Sequence, residues 1–328
     1  MSAPAWHAAV RQALQASRAT FDTSLRKATT LRIGGPAECL VELEEDEDLE
    51  RLFAVISEER VPYHVLGRGS NVLVPDEGLA GVVLRLGKAY QGFRRLEPRA
   101  PAEEAADTAD ADTVEASTLD ADTEEVHTAE ANTEKAITEK KNTVEAGAAL
   151  VNPMFVERCR AEGLGGMEFL IAVPGSIGGA VAMNAGAHGG DTAQYLESLD
   201  YFEQGSGLHH ASAKAFRFSY RKSELRGQER RLVLRAVFHL EPMSDEAIVA
   251  RKTECLSYRA RTQPRDYPNC GSVFKNPPGD YAARLIEEAG LKGERLGDAQ
   301  VSEKHANFMV NRGQATAAEV LALIARVQ

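Results

Sequence analysis

The sequence has few of the features that mark metal, disulfide or membrane proteins. Its four cysteines, Cys39, Cys159, Cys255 and Cys270, form no C-x-x-C pair, which argues against a zinc ribbon or a redox dithiol. Its eight histidines show no H-E-x-x-H spacing, so no metal site is expected. Any redox chemistry would therefore need an organic cofactor.

Long apolar runs are also missing. No run approaches the roughly 18 residues that cross a bilayer, and the segment 1–20 lacks the apolar centre of a signal peptide. We therefore expect a cytoplasmic protein with no membrane partner. We also expect a monomer, although no sequence feature determines the oligomeric state. The length of 328 residues and the 43% hydrophobic content allow two or three lobes with substantial cores.

Acidic residues outnumber basic ones, but most of the excess lies in one segment of the chain. The net charge is −11, and the segment 106–145 holds twelve acidic residues against three lysines. The acidic balance disfavours nucleic acid as a partner. Because the rest of the chain is nearly neutral, its arginines remain available for a small anionic ligand.

The acidic segment is an internal repeat in which threonine recurs every five residues from Thr108 to Thr143. The pattern is similar to the pentapeptide repeats of a square β-helix, but threonine stands where those repeats have Leu or Phe. Low aromatic content and high charge favour a disordered insertion over a short stack of coils. We predict that segment 106–145 interrupts the fold without contributing chemistry.

The remaining pattern predicts a mixed α+β protein rather than a doubly wound sheet. Helices are predicted at 49–59, 152–162, 245–261 and 280–290, and a last one begins at a Thr316-Ala-Ala-Glu319 capping box. Short β-runs are predicted at 61–67, 72–75, 81–86 and from Val144 onward.

Two glycine-rich segments stand out. Gly67-Arg-Gly-Ser-Asn71 could turn its amide groups toward phosphate oxygens, or could make a simple tight turn. It lacks the third glycine and the following helix of a dinucleotide fingerprint. The segment 173–187 is richer in small residues than packing requires, which favours close approach of a ligand to the main chain. Two such segments indicate an extended cofactor between them.

Two further motifs carry reactive side chains. Tyr220-Arg221 places a phenol beside a guanidinium that can grip a carboxylate, although this pair is also common on protein surfaces. Ser272 follows Gly271 without a G-x-S-x-G elbow, which argues against a hydrolase and leaves a proton-donor role open.

Together these motifs resemble the shorter, second type of the UDP-N-acetylenolpyruvoylglucosamine reductase family, over nearly the whole chain except the repeat. The similar segments, in order, are Thr30–Glu38, Gly67–Asn71, Pro174–Ala180, Phe218–Arg221, Gly271–Pro277 and Val301–Phe308.

The resemblance implies an FAD-binding domain of the p-cresol methylhydroxylase or vanillyl-alcohol oxidase type at 29–242, interrupted at 106–145. A helical segment at 1–28 would precede it, and an α+β substrate-binding domain at 243–328 would follow. FAD would bind noncovalently to Arg32, Gly67, Arg68, Gly69, Ser70, Asn71, Pro174, Gly175, Ser176, Ile177, Gly178, Gly179, Asn184 and Gly186.

The implied reaction is reduction of a UDP-sugar enolpyruvyl ether in bacterial cell-wall precursor synthesis, with NADPH as the hydride donor. Catalytic roles would fall to Arg221, which stabilises an enolate, and to Ser272 as proton donor. Substrate would contact Tyr220, Arg259, Arg261, Lys275 and Asn276.

The family's third catalytic residue is a glutamate in a Leu-Glu-x-Glu-Val strand after the last helix. This sequence reaches Gln328 before such a strand, so we expect a chain cut off at its C-terminus and an incomplete substrate-binding domain. Two alternatives remain open from the sequence: an inactive FAD-binding relic, or an oxidase of the same flavin superfamily.

Overall fold

The computed structural model describes residues 4–97, 142–226 and 231–328. Its α-helices are α1 Ala5–Ala13, α2 Asp46–Glu58, α3 Asn152–Ala161, α4 Ile177–Met183, α5 Asp245–Thr262, α6 Ala282–Glu288 and α7 Ala317–Val327. Its first strands are β1 Arg18–Ser24, β2 Pro36–Leu43, β3 Tyr63–Val65, β4 Leu79–Leu86, β5 Phe93–Arg95, β6 Thr143–Gly147, β7 Leu164–Gly165, β8 Gly186–Ala187, β9 Gly190–Asp191 and β10 Leu196–Glu203. The later strands are β11 Gly207–Ser212, β12 Phe218–Ser219, β13 Lys222–Ser223, β14 Arg231–His239, β15 Glu241–Pro242, β16 Asn269–Ser272, β17 Arg295–Leu296, β18 Ala299–Val301 and β19 Phe308–Asn311.

The first sheet has four strands in the order β1-β2-β4-β3, with β2 and β3 parallel to β4. Helix α2 packs on it because Leu49, Leu52, Phe53 and Ile56 recur at helical spacing and are all buried. Phe202 of the second sheet belongs to the same apolar cluster. Helix α2 therefore lies between the first and second sheets.

The second sheet is antiparallel, in the order β11-β10-β14-β6-β5. Its other face packs against helices α3 and α4 and the 3₁₀ segment Glu168–Ala172. Cys255 of α5 is buried in the same cluster, and α5 packs against the 3₁₀ segment Glu168–Ala172, so this helix lies on the layer that covers the second sheet.

The third sheet, β16-β19-β18-β17, is antiparallel and carries helices α6 and α7. Helix α7 begins with the capping box that the sequence predicts, in which Thr316 and Glu319 each accept from the other's backbone N–H group. Leu31 and Ile33, from the loop before β2, are buried in the core of this sheet. That loop therefore ties the C-terminal lobe to the rest of the molecule.

The α+β class, the helices and most β-runs predicted from the sequence are confirmed, within two or three residues at most helix ends. The predicted strand at 72–75 is wrong: these residues pair with no neighbour, although Val74 is buried. The segment 1–28 is not wholly helical, because residues 18–24 form β1 and pair with β2.

The predicted end of the insertion, at 145, is also wrong. Thr143 and Val144 begin β6, pair with β14 in the second sheet and are buried. Hydrogen bonding to β14 and β5 and burial of Val144 outweigh the polar repeat pattern at this point. The rest of the predicted repeat, at 106–141, lies outside the described residues.

Candidate active site

The two glycine-rich segments lie side by side. The Ser70 hydroxyl donates a hydrogen bond to the Pro174 carbonyl oxygen at 2.9 Å. A Cβ atom at Gly175 would lie 3.3 Å from Ser70 Oγ, and one at Gly67 would lie 3.4 Å from Ser176 Oγ. Gly175 also has φ +146°, which L-residues rarely adopt. Both the contact and the backbone conformation therefore favour glycine at position 175.

The main-chain N–H groups of these segments are free to bind a ligand. Within the described part of the chain, no group accepts a hydrogen bond from the amides of residues 67–71, 175 and 176. Gly69 allows the turn because its φ is +63° and a Cβ there would lie 2.1 Å from the Ala28 carbonyl oxygen. The unpaired amides of residues 67–71 lie beside those of residues 175 and 176, and together they form a surface suited to phosphate oxygens.

Arg221 lies at the turn of the β12–β13 hairpin, in the left-handed region with φ 54°. Its guanidinium donates to the carbonyl oxygen of Gly186 and, at 3.5 Å, to that of Asn184. The Ser223 hydroxyl fixes the same hairpin by donating to the Ala182 carbonyl oxygen at 2.6 Å. The hairpin therefore holds Arg221 against the end of the second glycine-rich segment.

Asn184 is expected from the sequence to contact the cofactor, but its side chain is engaged within the protein. Its Nδ2 donates to the Ser219 carbonyl oxygen at 3.1 Å, and its Oδ1 accepts from the Ala193 N–H at 2.9 Å. The residue is 2% exposed. In the structure its side chain therefore braces the Arg221 hairpin.

Ser272 ends β16 directly after a bulge in its pairing with β19. Gly271 has φ +82°, and its N–H donates to Asn269 Oδ1 at 3.2 Å. Bulges commonly re-aim side chains, and Ser272 is exposed. Among the described residues, no group is hydrogen-bonded to its hydroxyl, so the O–H is available to a ligand.

Thr30 connects Ser272's strand to the first glycine-rich segment. Its hydroxyl donates to the Asn269 carbonyl oxygen at 2.7 Å, and its N–H donates to the Gly69 carbonyl oxygen at 3.0 Å. The nearby Arg32 is exposed and has φ 56°. No local sequence pattern indicates the role of Thr30, because its partners lie 39 and 239 residues away.

Basic side chains line the end of α5. Arg259 is half-buried, and its Nε is buried without a hydrogen-bond partner. Burial and the neighbouring Arg265 lower the pKa of Arg259. Within the described ranges no carboxylate pairs with Arg259, Arg261, Arg265 or Lys275. A buried guanidinium nitrogen without an acceptor, in a group of basic side chains, is suited to pair with an anion.

Two contacts link the end of α5 to the β8–β9 hairpin, next to Arg221, and to the loop before β19. Tyr258, one residue before Arg259, packs edge-on against His188 of the β8–β9 hairpin at 5.1 Å between ring centroids. Strand β8 begins at Gly186, whose carbonyl oxygen holds Arg221. On the other side, Lys304 Nζ donates to the Ala260 carbonyl oxygen at 2.6 Å.

Comparison with known proteins identifies the family. A family model described as "UDP-N-acetylenolpyruvoylglucosamine reductase, C-terminal domain" matches residues 263–328. UDP-N-acetylenolpyruvoylglucosamine reductase 2 of Symbiobacterium thermophilum is 41% identical over 93% of this chain and 84% of its own length. The reductase of Geobacter metallireducens is 38% identical over 93% and 86%, respectively. This chain belongs to the UDP-N-acetylenolpyruvoylglucosamine reductase family.

A solved structure agrees with this membership. The crystal structure of the Thermus caldophilus UDP-N-acetylenolpyruvylglucosamine reductase aligns with a TM-score of 0.72 at 34% identity, over 96% of this chain and 95% of that one. The reductase fold therefore extends across both lobes and is not confined to the C-terminal lobe that the family model matches.

In this reductase family member, the sequence-predicted residues fall into two groups. Gly67–Asn71 and Pro174–Gly179 form one continuous surface, and Arg221 and Gly186 adjoin its end. Asn276 lies apart from them at the start of α6, where its Oδ1 accepts from the Ala282 N–H at 3.1 Å. Lys275 and Arg261 are exposed.

The described ranges contain neither a membrane-spanning helix nor a metal-binding cluster. No helix there combines the length and the apolar character needed to cross a bilayer. Nor do three or more of the described His, Cys, Asp or Glu side chains gather into a group that could hold a metal ion.

Proposed function

We propose that this protein reduces UDP-N-acetylglucosamine enolpyruvate to UDP-N-acetylmuramate, with noncovalent FAD as cofactor and NADPH as the source of hydride. The observation that carries the proposal is the anchoring of Arg221 beside a surface of unpaired amides. The amide surface can hold a phosphorylated cofactor, and Arg221 can hold a substrate carboxylate next to it.

The residues present fit FAD. The unpaired amides of residues 67–71 are suited to its diphosphate, and Gly179, where a Cβ would meet only Ser176 Oγ at 3.8 Å, leaves room for a flat ligand near the main chain. Asn152, whose Nδ2 lies beside Gly175, also has a buried Oδ1 without a donor. These features support a flavin domain of the vanillyl-alcohol oxidase type at 29–242. FAD, when bound, would supply the hydride that it takes from NADPH.

Arg221 stabilises the charge that the reaction creates. When hydride adds to the vinyl carbon distal to the carboxylate, negative charge spreads onto that carboxylate as an enolate. A guanidinium already held by the carbonyl oxygens of Gly186 and Asn184 needs little reorganisation to meet that charge. Arg221 therefore stabilises the transition state more than the substrate.

Ser272 completes the reduction by donating its hydroxyl proton to the carbon next to the carboxylate. Hydride and proton together add two hydrogens across the double bond, and solvent restores the proton to the serine. The hydroxyl is exposed and has no partner among the described residues, so it can point at the substrate. General acid catalysis of this kind contributes about 10²–10⁴-fold.

The substrate's diphosphate is assigned to the basic group at the end of α5. Arg259 carries a buried, unpartnered Nε, and Arg265 lies near enough to lower its pKa. Tyr220, Arg261, Lys275 and Asn276 complete the proposed set of substrate contacts. Arg265 is an addition that the sequence patterns did not indicate.

The test is the dependence of NADPH oxidation on the enolpyruvyl substrate, in protein reconstituted with FAD. We expect rapid oxidation only when the substrate is present, with a product heavier by two hydrogens. An oxidase of the same superfamily would instead consume oxygen with an alcohol, and an inactive relic would bind flavin without turnover. Failure to bind FAD, or NADPH oxidation that ignores the substrate, would overturn the proposal.

A further inference from the structure

The hydroxyl of Ser272 has no side-chain support of its own. Since no described group is hydrogen-bonded to it, its position depends on the backbone of the segment that carries it. That segment contains a β-bulge and a glycine at φ +82°, so its regular pairing with β19 is interrupted just before Ser272. Whatever fixes the backbone on either side of Ser272 therefore fixes the proton donor.

Upstream of Ser272, the support comes from Asn269 in the same strand. Its Oδ1 accepts from the Gly271 N–H, and its Nδ2 donates to the carbonyl oxygens of Pro264 and Tyr267 at 2.9 and 3.0 Å. These contacts are local, within five residues. They brace the turn before the bulge but do not reach the residues after it.

Downstream, the support comes from Asn307, which precedes β19. Its Oδ1 accepts from the Phe274 N–H at 2.8 Å, and its Nδ2 donates to the Phe274 carbonyl oxygen at 2.8 Å. Its own carbonyl oxygen accepts from the Val273 N–H at 2.9 Å. Asn307 is 3% exposed, so water does not compete for these bonds. One side chain thus forms a closed two-bond ring with the residue two positions after Ser272.

We infer that Asn307 is a positioning residue for the Ser272 proton donor. The inference rests on the proposed function, in which Ser272 protonates the substrate. Loss of the ring would remove both side-chain bonds to the Phe274 backbone and let the Ser272 hydroxyl move away from the substrate carbon. A misplacement of about 1 Å can cost on the order of 10²-fold in rate, whereas binding of cofactor and substrate would be retained.

The experiment compares Asn307→Ala and Asn307→Asp with the matched control Asn311→Ala. Asn311 is the last residue of β19, the strand that Asn307 precedes. It is 1% exposed, and its side chain donates to the Leu31 carbonyl oxygen at 3.1 Å and accepts from the Gly313 and Ala315 N–H groups. Its side chain is bonded to no residue of β16, and its backbone N–H, which donates to the Pro268 carbonyl oxygen at 2.9 Å, is retained in the alanine variant. Asn307→Asp keeps the shape and the acceptor but loses the donor, so it provides a second variant if the alanine protein does not fold.

Each variant, loaded with FAD, is followed in single turnover. We expect Asn307→Ala and Asn307→Asp to reduce the flavin with NADPH at the wild-type rate, to bind substrate with unchanged Kd, and to reoxidise with substrate about 10–100-fold more slowly. Asn311→Ala should not change the reoxidation rate. Adding Asn307→Ala to Ser272→Ala should cause no further slowing, because both changes remove the same proton donation.

Two outcomes separate this inference from the function it rests on. Normal reoxidation in soluble, flavin-loaded Asn307→Ala or Asn307→Asp, with slow reoxidation in Ser272→Ala, overturns the positioning role alone. Further slowing in the double variant also overturns it, because Asn307 would then act by another route. Fast reoxidation in Ser272→Ala overturns the proton-donor assignment itself.

Discussion

The Thr30 hydroxyl donates a hydrogen bond of 2.7 Å to the carbonyl oxygen of Asn269. Thr30 lies in the loop before β2, whereas Asn269 begins β16 of the third sheet, three residues before Ser272. The Thr30 N–H also donates to the Gly69 carbonyl oxygen in the first glycine-rich segment. Thr30 thus links Gly67–Asn71, which we propose to bind the FAD diphosphate, to β16, the strand that carries the proposed proton donor Ser272.

Replacing Thr30 with valine keeps the shape of the side chain and removes this bond. The bond is part-buried, so its net contribution is that of an ordinary hydrogen bond, about 0.5–1.5 kcal/mol, and we expect Thr30→Val to lower the free energy of unfolding by about that amount. Thr253→Val is the control, because the Thr253 hydroxyl is bonded only to Val249 within its own helix. Equal thermal midpoints for Thr30→Val and the wild type would contradict the linking role of Thr30.

The crowding of Gly69 predicts a defect in cofactor binding. A Cβ there would lie 2.1 Å from the Ala28 carbonyl oxygen, so Gly69→Ala must displace the turn that presents the unpaired amides. Gly279→Ala is the control, since Gly279 also has positive φ, at +76°, but has open space around it. We expect FAD per protein, measured by absorbance after reconstitution, to fall in Gly69→Ala only. Full flavin loading of Gly69→Ala would count against the proposed site.

Asp48 predicts a pH dependence of stability. The residue is fully buried and accepts hydrogen bonds from the N–H groups of Gln15, Ala16 and Ser17 and from Arg51. Burial alone would raise its pKa, but these hydrogen bonds outweigh burial and hold the pKa well below its usual range. Its stabilising contribution is therefore complete above the unfolded pKa of about 3.9 and is lost as the pH falls below it.

Asp48→Asn should consequently unfold more easily than the wild type at neutral pH, and the difference should shrink as the pH falls below about 4. Denaturant unfolding at several pH values measures this difference. The exposed Asp266 provides the control, as Asp266→Asn should leave the stability close to wild type. A difference for Asp48→Asn that stays constant down to acidic pH would exclude ionised Asp48 as its cause.

The sequence predicted local elements well because their signals are local. The Thr316–Glu319 capping box and the apolar spacing of Leu49, Leu52 and Ile56 each act within a turn or two of helix. The run Val72–Pro75 has the same local character as a strand, yet no neighbouring strand pairs with it, and Val74 packs into a core without a ladder. Pairing is a tertiary property that residue pattern alone does not determine.

In the candidate site, too, local sequence features were predictable and long-range contacts were not. Glycine content identified both segments that prove to be adjacent, because glycine is favoured wherever backbone meets backbone or ligand. The supports of the reactive side chains were not predicted. Asn184 looked like a ligand contact but is bonded to Ser219 and Ala193, and Asn307 reaches Phe274 across 33 residues. An asparagine that binds ligand and one that bonds to backbone have the same sequence signal.

The central claim is that Arg221 and Ser272 act on the substrate and not on the reduction of the flavin. Hydride transfer from NADPH creates no enolate and needs no proton at carbon, so neither side chain should matter for it. Reduction of the enolpyruvyl group needs both.

The most direct measurement is therefore a pair of single-turnover rates for Arg221→Ala and Ser272→Ala: flavin reduction by NADPH, then flavin reoxidation by the enolpyruvyl substrate. We predict reduction rates near wild type in both variants and reoxidation slowed by about 10²–10⁴-fold. Rapid reoxidation by substrate in either variant would contradict the role given to that residue, and rapid reoxidation in both would contradict the account.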